Sequence, residues 1–268
     1  MNMKKIILAV LLVVATLSAK AWSTNHDKAV LLVASQNYTP ATRALVTEYV
    51  GEDHTRPSNH LAWHRRNGRH LETEGWHTLH LDANLQPAAK DANDAYVQIE
   101  KALEIVRNHE QHDKATVSFA IQTVMNLIID MHNLSNVKIE GIPLSGTDFQ
   151  LDISQCTVAG RPIKTFKYSW KKLWTHRYPT FHGNAVYSPQ MWSEDIVCMY
   201  GDKKEGFSKG TLKDWCIDIG GYTKGVHQVL EKEGRFIHKT VQEHEPLHMA
   251  CLARAAYRIA VLLNENLK

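Results

Sequence analysis

The chain has 268 residues, of which 44% are hydrophobic and 22% are charged, which is enough material to bury a hydrophobic core. This composition excludes an intrinsically disordered protein. The formal net charge is only +3, so overall charge gives no reason to expect nucleic-acid binding. Histidine occurs 16 times, which favours a metal site without locating one.

Residues 1–21 have the pattern of a secretory signal peptide. Two lysines precede the apolar run Ile6–Val14, and Ala19-Lys20-Ala21 is the kind of small-x-small sequence that signal peptidase recognises. The run is shorter than the roughly 20 residues that span a bilayer. We therefore predict a secreted or periplasmic mature chain, residues 22–268, that begins at Trp22 and has no membrane span.

Helical periodicity dominates the mature chain. Apolar residues recur at helical spacing, most regularly after the candidate N-cap Asp113. Between residues 137 and 166 the pattern changes to alternation broken by Gly and Pro, which predicts a small β-hairpin insertion. The predicted fold class is mainly α, with one helical domain and this insertion. The helices are expected, in chain order, at 41–50, 91–107, 113–132, 167–174, 211–232 and 245–267.

The mature chain contains the cysteines Cys156, Cys198, Cys216 and Cys251, none of them in a C-x-x-C pair. In an exported protein they could form two disulfides, with three possible connectivities. A structural zinc site built from cysteines is not expected.

The new N-terminus is a candidate metal ligand. The free amino group and carbonyl oxygen of Trp22 could chelate a metal ion, and His26 could complete the coordination, because zinc accepts nitrogen and oxygen ligands together. The alternative is an ordinary buried tryptophan followed by a surface histidine.

Asp130 is the predicted catalytic residue. It lies four residues after Asn126 on a helix face that is otherwise continuously apolar. A carboxylate in such a face is usually metal-bound, paired or capping another group. The alternative is an aspartate that is hydrogen-bonded to a neighbouring helix.

The stretch from Asn59 to Asp82 is rich in histidine, arginine and tryptophan. It could contact phosphates and stack on bases, or it could be a solvated loop. His77 and His80, beside Trp76, are its expected metal ligands. The later stretch 168–176 is also aromatic and basic, and by default it represents core tryptophans with outward lysines.

Several segments resemble, in the same order, the motifs of one known family, although the gap from Trp22 to His26 is one residue shorter than usual there. They are Trp22 with His26, Leu61-Ala62-Trp63, Trp76-His77-Thr78-Leu79-His80, Val124 to Met131, Trp170 to Thr175, and Ala255 to Asn264. The chain resembles the zinc-dependent single-strand-specific nucleases (nucleases S-one and P-one and the plant bifunctional nucleases), which are distantly related to zinc phospholipase C. The resemblance implies the phospholipase C/nuclease type of helical fold. It also implies hydrolysis of phosphodiesters in single-stranded DNA or RNA by clustered zinc ions.

Several metal-ligand positions of that family are substituted in this chain. Asn126 and Lys171 stand where the family has histidines, and Thr175 stands where it has an aspartate. Arg65 takes the position of a bridging carboxylate, unless a rival alignment places Asp53 there. At about 4 Å and an effective dielectric constant near 20, a unit charge and a dication repel by roughly 8 kcal/mol. We therefore expect one zinc ion or none, held by Trp22, His26, Asp130 and His77 or His80.

Two functional hypotheses follow, and a purely structural exported helical protein is the third alternative. The first is an exported phosphodiesterase of the nuclease family that acts on single-stranded DNA, RNA or nucleotide phosphates with a reduced metal site. The second is a non-catalytic homologue in which Arg65, Lys171 and Lys172 bind a phosphate or nucleotide anion. The substitutions exchange metal charge for side-chain charge, which only the second hypothesis explains.

Overall fold

The computed structural model describes residues 24–88, 92–143, 150–154, 166–177, 187–233 and 236–268, and the predicted signal peptide, Trp22 and Cys156 lie outside these ranges. The described residues are mainly helical, which confirms the predicted fold class. The helices are α1 (Thr24–Gln36), α2 (Pro40–Val50), α3 (Leu61–Arg66), α4 (Ala95–Arg107), α5 (Lys114–Met131), α6 (Trp170–Lys172), α7 (Pro189–Tyr200), α8 (Lys204–Ser208), α9 (Leu212–Glu233) and α10 (His238–Asn266). Short 3-10 segments occur at Pro57–Asn59, Leu71–His77, His109–Gln111, Leu134–Asn136 and Gly201–Lys203, and a π-helical turn at Leu173–Arg177.

Helix α5 forms the centre of the fold, and its N-terminus is where the sequence places it. The Asp113 carboxylate accepts hydrogen bonds from the backbone N–H groups of Ala115 and Thr116, at 2.9 and 3.0 Å. The helix is buried along most of its length and packs against α2, α4 and α10. The helix predicted at 113–132 from the apolar periodicity is therefore confirmed.

Other helix boundaries differ from the predictions. Helix α4 begins at Ala95 rather than near residue 91, because Asp94 takes the N-cap and accepts from the N–H of Tyr96 at 2.8 Å. Helices α1, α3, α7 and α8 were not predicted, and the helix predicted at 167–174 is wrong for residues 167–169, which form part of a strand. In α1 the buried residues are not confined to one stripe, so its periodicity is weak.

Two small sheets accompany the helices. Strand β1 (Leu79–Leu81) pairs in parallel with β2 (Val137–Ile139). Strand β3 (Gln150–Ser154) pairs antiparallel with β4 (Phe166–Ser169) and parallel with β5 (Phe236–Ile237). The predicted hairpin insertion therefore contains the β3–β4 pair. The alternating residues from 138 belong instead to the β1–β2 pair, because Val137 and Ile139 are buried there.

The buried apolar side chains form one cluster, to which α1, α4, α5, α7, α9 and α10 all contribute. Trp170 and Trp174 are completely buried in it, whereas Lys172 is exposed. The described cysteines Cys198, Cys216 and Cys251 are free thiols. The two disulfides that the cysteine count allows are therefore not formed in this structure.

A buried arginine fixes the C-terminal end of α5. Arg258 of α10 is 1% exposed, and its guanidinium donates to His132 Nε2 at 2.9 Å, to Asp218 at 2.6 Å and to the Phe207 carbonyl at 2.9 Å. The other ring nitrogen of His132 donates to the Ile128 carbonyl at 2.7 Å. Burial, followed by the Arg258 charge, holds the pKa of His132 well below its usual value. Helices α5, α9 and α10 are thus joined two residues after Asp130.

One segment among the described residues, Glu243–Asn266, is long and apolar enough to cross a membrane by length and composition. No such segment was expected after residue 21. The apolar window of this segment is 78% buried within the protein, which is the behaviour of a core helix.

Candidate functional site

A pocket of about 70 Å³ lies where the start of α1, the segment leading into α3, and α5 meet. Asp130 lines it, and so do Thr24 and Asp27 at the first turn of α1. The carboxylate predicted to occupy an apolar helix face therefore faces a pocket near the N-terminal end of the described chain. The complete lining is Thr24, Asp27, Pro57, His60, Ala62, Arg65, Arg66, His77, Asn126 and Asp130.

Asp130 forms the centre of the pocket through a buried pair with His77. The two residues are 6% and 7% exposed. His77 Nδ1 donates to Asp130 Oδ2 at 2.5 Å, across 53 residues of sequence. Among the two histidines predicted as ligands in this stretch, His77 is thus the one that reaches the carboxylate.

Arg65 completes a chain of three side chains. Its Nη1 donates to His77 Nε2 at 2.5 Å and to Thr73 Oγ1 at 3.0 Å. Both ring contacts are satisfied only by the imidazole tautomer with its hydrogen on Nδ1. Burial lowers the pKa of Arg65, and the charges of Asp130 and Glu74 oppose that shift. The order of the chain is guanidinium, imidazole, carboxylate.

Lys171 adds positive charge close to Asp130. It is half-buried, burial lowers its pKa, and the charge of Asp130 opposes this shift. Lys172 is exposed, since the next residue of the helical turn faces away from the core. Lys171, one of the two lysines predicted to bind an anion, is thus within electrostatic reach of Asp130.

Asn126, which the resemblance places at a metal-ligand position, has a structural role. Its amide donates to the carbonyls of Asn59 and Gln122, at 3.0 and 2.8 Å, and accepts from the N–H of Leu61 at 3.3 Å. These bonds tie the segment before α3 to α5. The pocket wall that carries His60 is held in place by this amide.

His60 lines the pocket but was not singled out from the sequence. It is 9% exposed, and burial and the charge of Lys28 lower its pKa. The available signal was its place in the stretch 59–82, directly before the helix that carries Arg65 and Arg66. Periodicity does not distinguish it from the other histidines of this stretch.

The remaining predicted metal ligands have other surroundings. The His26 ring is buried and packs against the rings of Trp192 and His248, with centroids 4.4 and 5.2 Å apart. His80 pairs with Asp94, which also caps α4, at 2.9 Å. Trp22 lies outside the described residues. The described part of the proposed ligand set is therefore not assembled around Asp130, apart from His77.

The residues of the pocket do not fit the zinc ion that the resemblance implies. Zinc requires about four ligands. The Nε2 atom of His77 already accepts from a guanidinium, which would repel a dication at about 4 Å by roughly 8 kcal/mol at an effective dielectric constant near 20. Over the described ranges, no three His, Cys, Asp or Glu side chains are placed to hold a metal ion. Asp53, the alternative bridging carboxylate, is exposed and hydrogen-bonds Thr55 instead.

Half-buried aromatic rings of α3 and α5 pack together with the ring of His70. The His70 ring stacks on Phe119 with centroids 3.8 Å apart and planes 15° apart. His64 lies edge-on to both His70 and Trp63, at 5.3 and 5.4 Å. The stretch 59–82 is therefore an ordered part of the fold that supplies both pocket lining and an aromatic surface.

No family model matches this chain, and no curated protein is detectably similar to it in sequence. The kinship with the zinc nucleases therefore stays a prediction. What the structure itself defines is a mainly helical protein with a small polar pocket built on an Arg65–His77–Asp130 chain.

Proposed function

We propose that the protein is an exported, nuclease-like helical protein whose pocket binds a phosphate-bearing anion, such as free phosphate or the phosphate end of a nucleotide. The observation that carries the proposal is that Arg65 and Arg66 line the same small pocket. Arginine presents several N–H donors in a planar fork that matches the oxygens of a phosphate.

The charges around the pocket support this proposal. The cations that line it or act on its groups are Arg65, Arg66, Lys171 and Lys28, whereas the anions are Asp27, Asp130 and Glu74. The excess is one positive charge. Asp130 repels an anion less than an isolated carboxylate would, because His77 donates to it and two cations lie close by.

Arg65 can contact an anion without leaving His77. Its contacts with His77 and Thr73 use one terminal nitrogen, Nη1, and a guanidinium has five N–H donors. Its Nε atom is buried and makes no hydrogen bond. The Nη2 donors of Arg65 therefore remain for a ligand while the chain of three side chains is intact.

A second candidate function is hydrolysis of phosphodiesters in single-stranded DNA or RNA. The observation in its favour is the buried His77–Asp130 pair, since a carboxylate that orients an imidazole is a common arrangement for a general base. Against it stands Arg65, which already occupies the outward nitrogen of that imidazole.

Calorimetric titration with inorganic phosphate and with a 5′-nucleotide tests the binding proposal, using processed protein without an N-terminal tag. Charged hydrogen bonds contribute about 1.5–3 kcal/mol, so we expect Arg66→Ala to weaken binding by roughly tenfold or more. Lys172→Ala is the matched control, because this lysine is exposed, and it should leave the affinity unchanged. Equal affinity of the wild type and Arg66→Ala would contradict the proposal.

Incubation of single-stranded DNA and RNA with the same preparations, with and without added zinc, tests the second candidate. Cleavage that is lost in His77→Ala and retained in Lys172→Ala would establish a phosphodiesterase. Without cleavage under either condition, anion binding is the function that this pocket supports.

A further inference from the structure

The contacts of Arg65 have the layout of a metal–histidine–carboxylate arrangement. In such sites the metal binds one ring nitrogen of the histidine, and the other ring N–H donates to a carboxylate. Here Asp130 accepts from Nδ1 of His77, and the group at Nε2 is the Arg65 guanidinium. A side-chain cation thus occupies the position that a metal ion takes in those sites.

Arg65 is held in this position by the fold. Thr73 is completely buried, and its hydroxyl accepts from Arg65 Nη1 at 3.0 Å while donating to the His70 carbonyl at 2.7 Å. The charges of Asp130 and Glu74 also favour the protonated guanidinium. The contact with His77 therefore belongs to a network that involves the 3-10 segment Leu71–His77 as well as α3.

We infer that Arg65 is a built-in cation that takes the place of a metal ion at His77 and keeps divalent cations out of the pocket. His77 remains a usable ligand that Asp130 orients through Nδ1, but the guanidinium both blocks the Nε2 atom and repels a dication. Exclusion of metal by this pocket then depends on a single residue. The inference is independent of phosphate binding, because it concerns cations.

Arg65→Asp is the direct test, since it removes the cation and supplies a carboxylate ligand beside the Nε2 atom of His77. We expect this variant to bind one zinc ion per chain more than the wild type in equilibrium dialysis followed by metal analysis. The affinity should rise by roughly 100-fold or more, because loss of a like charge and gain of a carboxylate both favour a dication. Zinc should also raise the Tm of this variant but not that of the wild type.

Arg69→Asp is the matched control, because it makes the same charge change at an exposed arginine nearby. It shows how much zinc the other histidines take up adventitiously. Adding His77→Ala to Arg65→Asp should abolish the extra zinc. Circular dichroism without zinc shows whether each variant is folded. If Arg65→Asp is unfolded, Arg65→Ala replaces it, and we then expect a smaller gain in zinc binding.

Two results would overturn the inference. In the first, the wild type itself binds one zinc ion that His77→Ala removes, which would show that Arg65 moves aside for metal. In the second, Arg65→Asp, or Arg65→Ala in its place, binds no more zinc than Arg69→Asp. Failure of the phosphate titration with a positive zinc result would refute the proposed function and leave this inference standing.

Discussion

Replacing Asp130 by asparagine should lower stability and raise anion affinity in the same protein. Asn and Asp have nearly the same shape, and the Asn oxygen can still accept from His77 Nδ1. The variant therefore removes charge while the hydrogen-bond geometry is retained. Arg65 and Lys171 would lose their buried counter-charge.

The expected cost follows from the burial of the three groups. Breaking a fully buried ion pair costs about 3–5 kcal/mol, and exposed pairs contribute about 0–1 kcal/mol. Asp130 is buried, but both cations are only half-buried, so we expect a loss of about 2 kcal/mol in the free energy of unfolding. For a domain of this size that lowers Tm by about 4–8 °C.

Affinity for phosphate should move in the opposite direction. A carboxylate about 6 Å from a bound anion repels it by roughly 3 kcal/mol at an effective dielectric constant near 20, and solvent screening reduces this. We expect Asp130→Asn to bind phosphate several-fold more tightly, by calorimetry at low salt. Urea unfolding of the same variant measures the change in the free energy of unfolding. Unchanged stability together with weaker phosphate binding would refute the electrostatic coupling of Asp130 to Arg65 and Lys171.

Three further outcomes are expected. Gly220→Ala should destabilise the protein by about 1–3 kcal/mol in urea unfolding, because the added Cβ would lie 2.5 Å from a Leu81 methyl group. Gly221→Ala is the control: its added Cβ would have no neighbouring atom within 4 Å, so this variant should be neutral or stabilising. The free energy of unfolding should fall by about 1.4 kcal/mol per pH unit on acidification below about pH 6.5, because the unfolded chain then protonates His132 while the folded protein keeps it neutral. An equally steep loss in the variant His132→Asn would show that other groups cause the effect. A thiol reagent added to the native protein should label Cys198 first, since Cys198 is exposed and burial raises the pKa of the Cys216 and Cys251 thiols. Mass spectrometry identifies the labelled cysteine. Rapid labelling of Cys216 or Cys251 in the native protein would contradict the packing of α9 and α10.

The helices of the core could be predicted because their signals are local. Apolar residues at helical spacing and the Asp113 cap determine α5, and they also place Asp130 on a face that becomes buried. Helix α1 escaped prediction because it is buried on more than one side, so no polar face reveals its period.

The candidate site was only partly predictable. A helix face can show that Asp130 is unusual, but it cannot show which of many histidines reaches it. His77 and His80 looked equivalent in the sequence, yet one pairs with Asp130 and the other with Asp94. The turn between them, from the 3-10 segment Leu71–His77 into β1, decides which way each ring points.

The amino-acid sequence by itself determined the helical class of this protein, the central helix and the buried position of its carboxylate, because these depend on residues within a few turns of one another. Only the tertiary structure decided that Arg65 and His77 meet that carboxylate, while His26 packs against Trp192. These contacts join segments as far apart as 166 residues in sequence (His26 and Trp192), and they arise from the packing of whole helices, which no local pattern encodes.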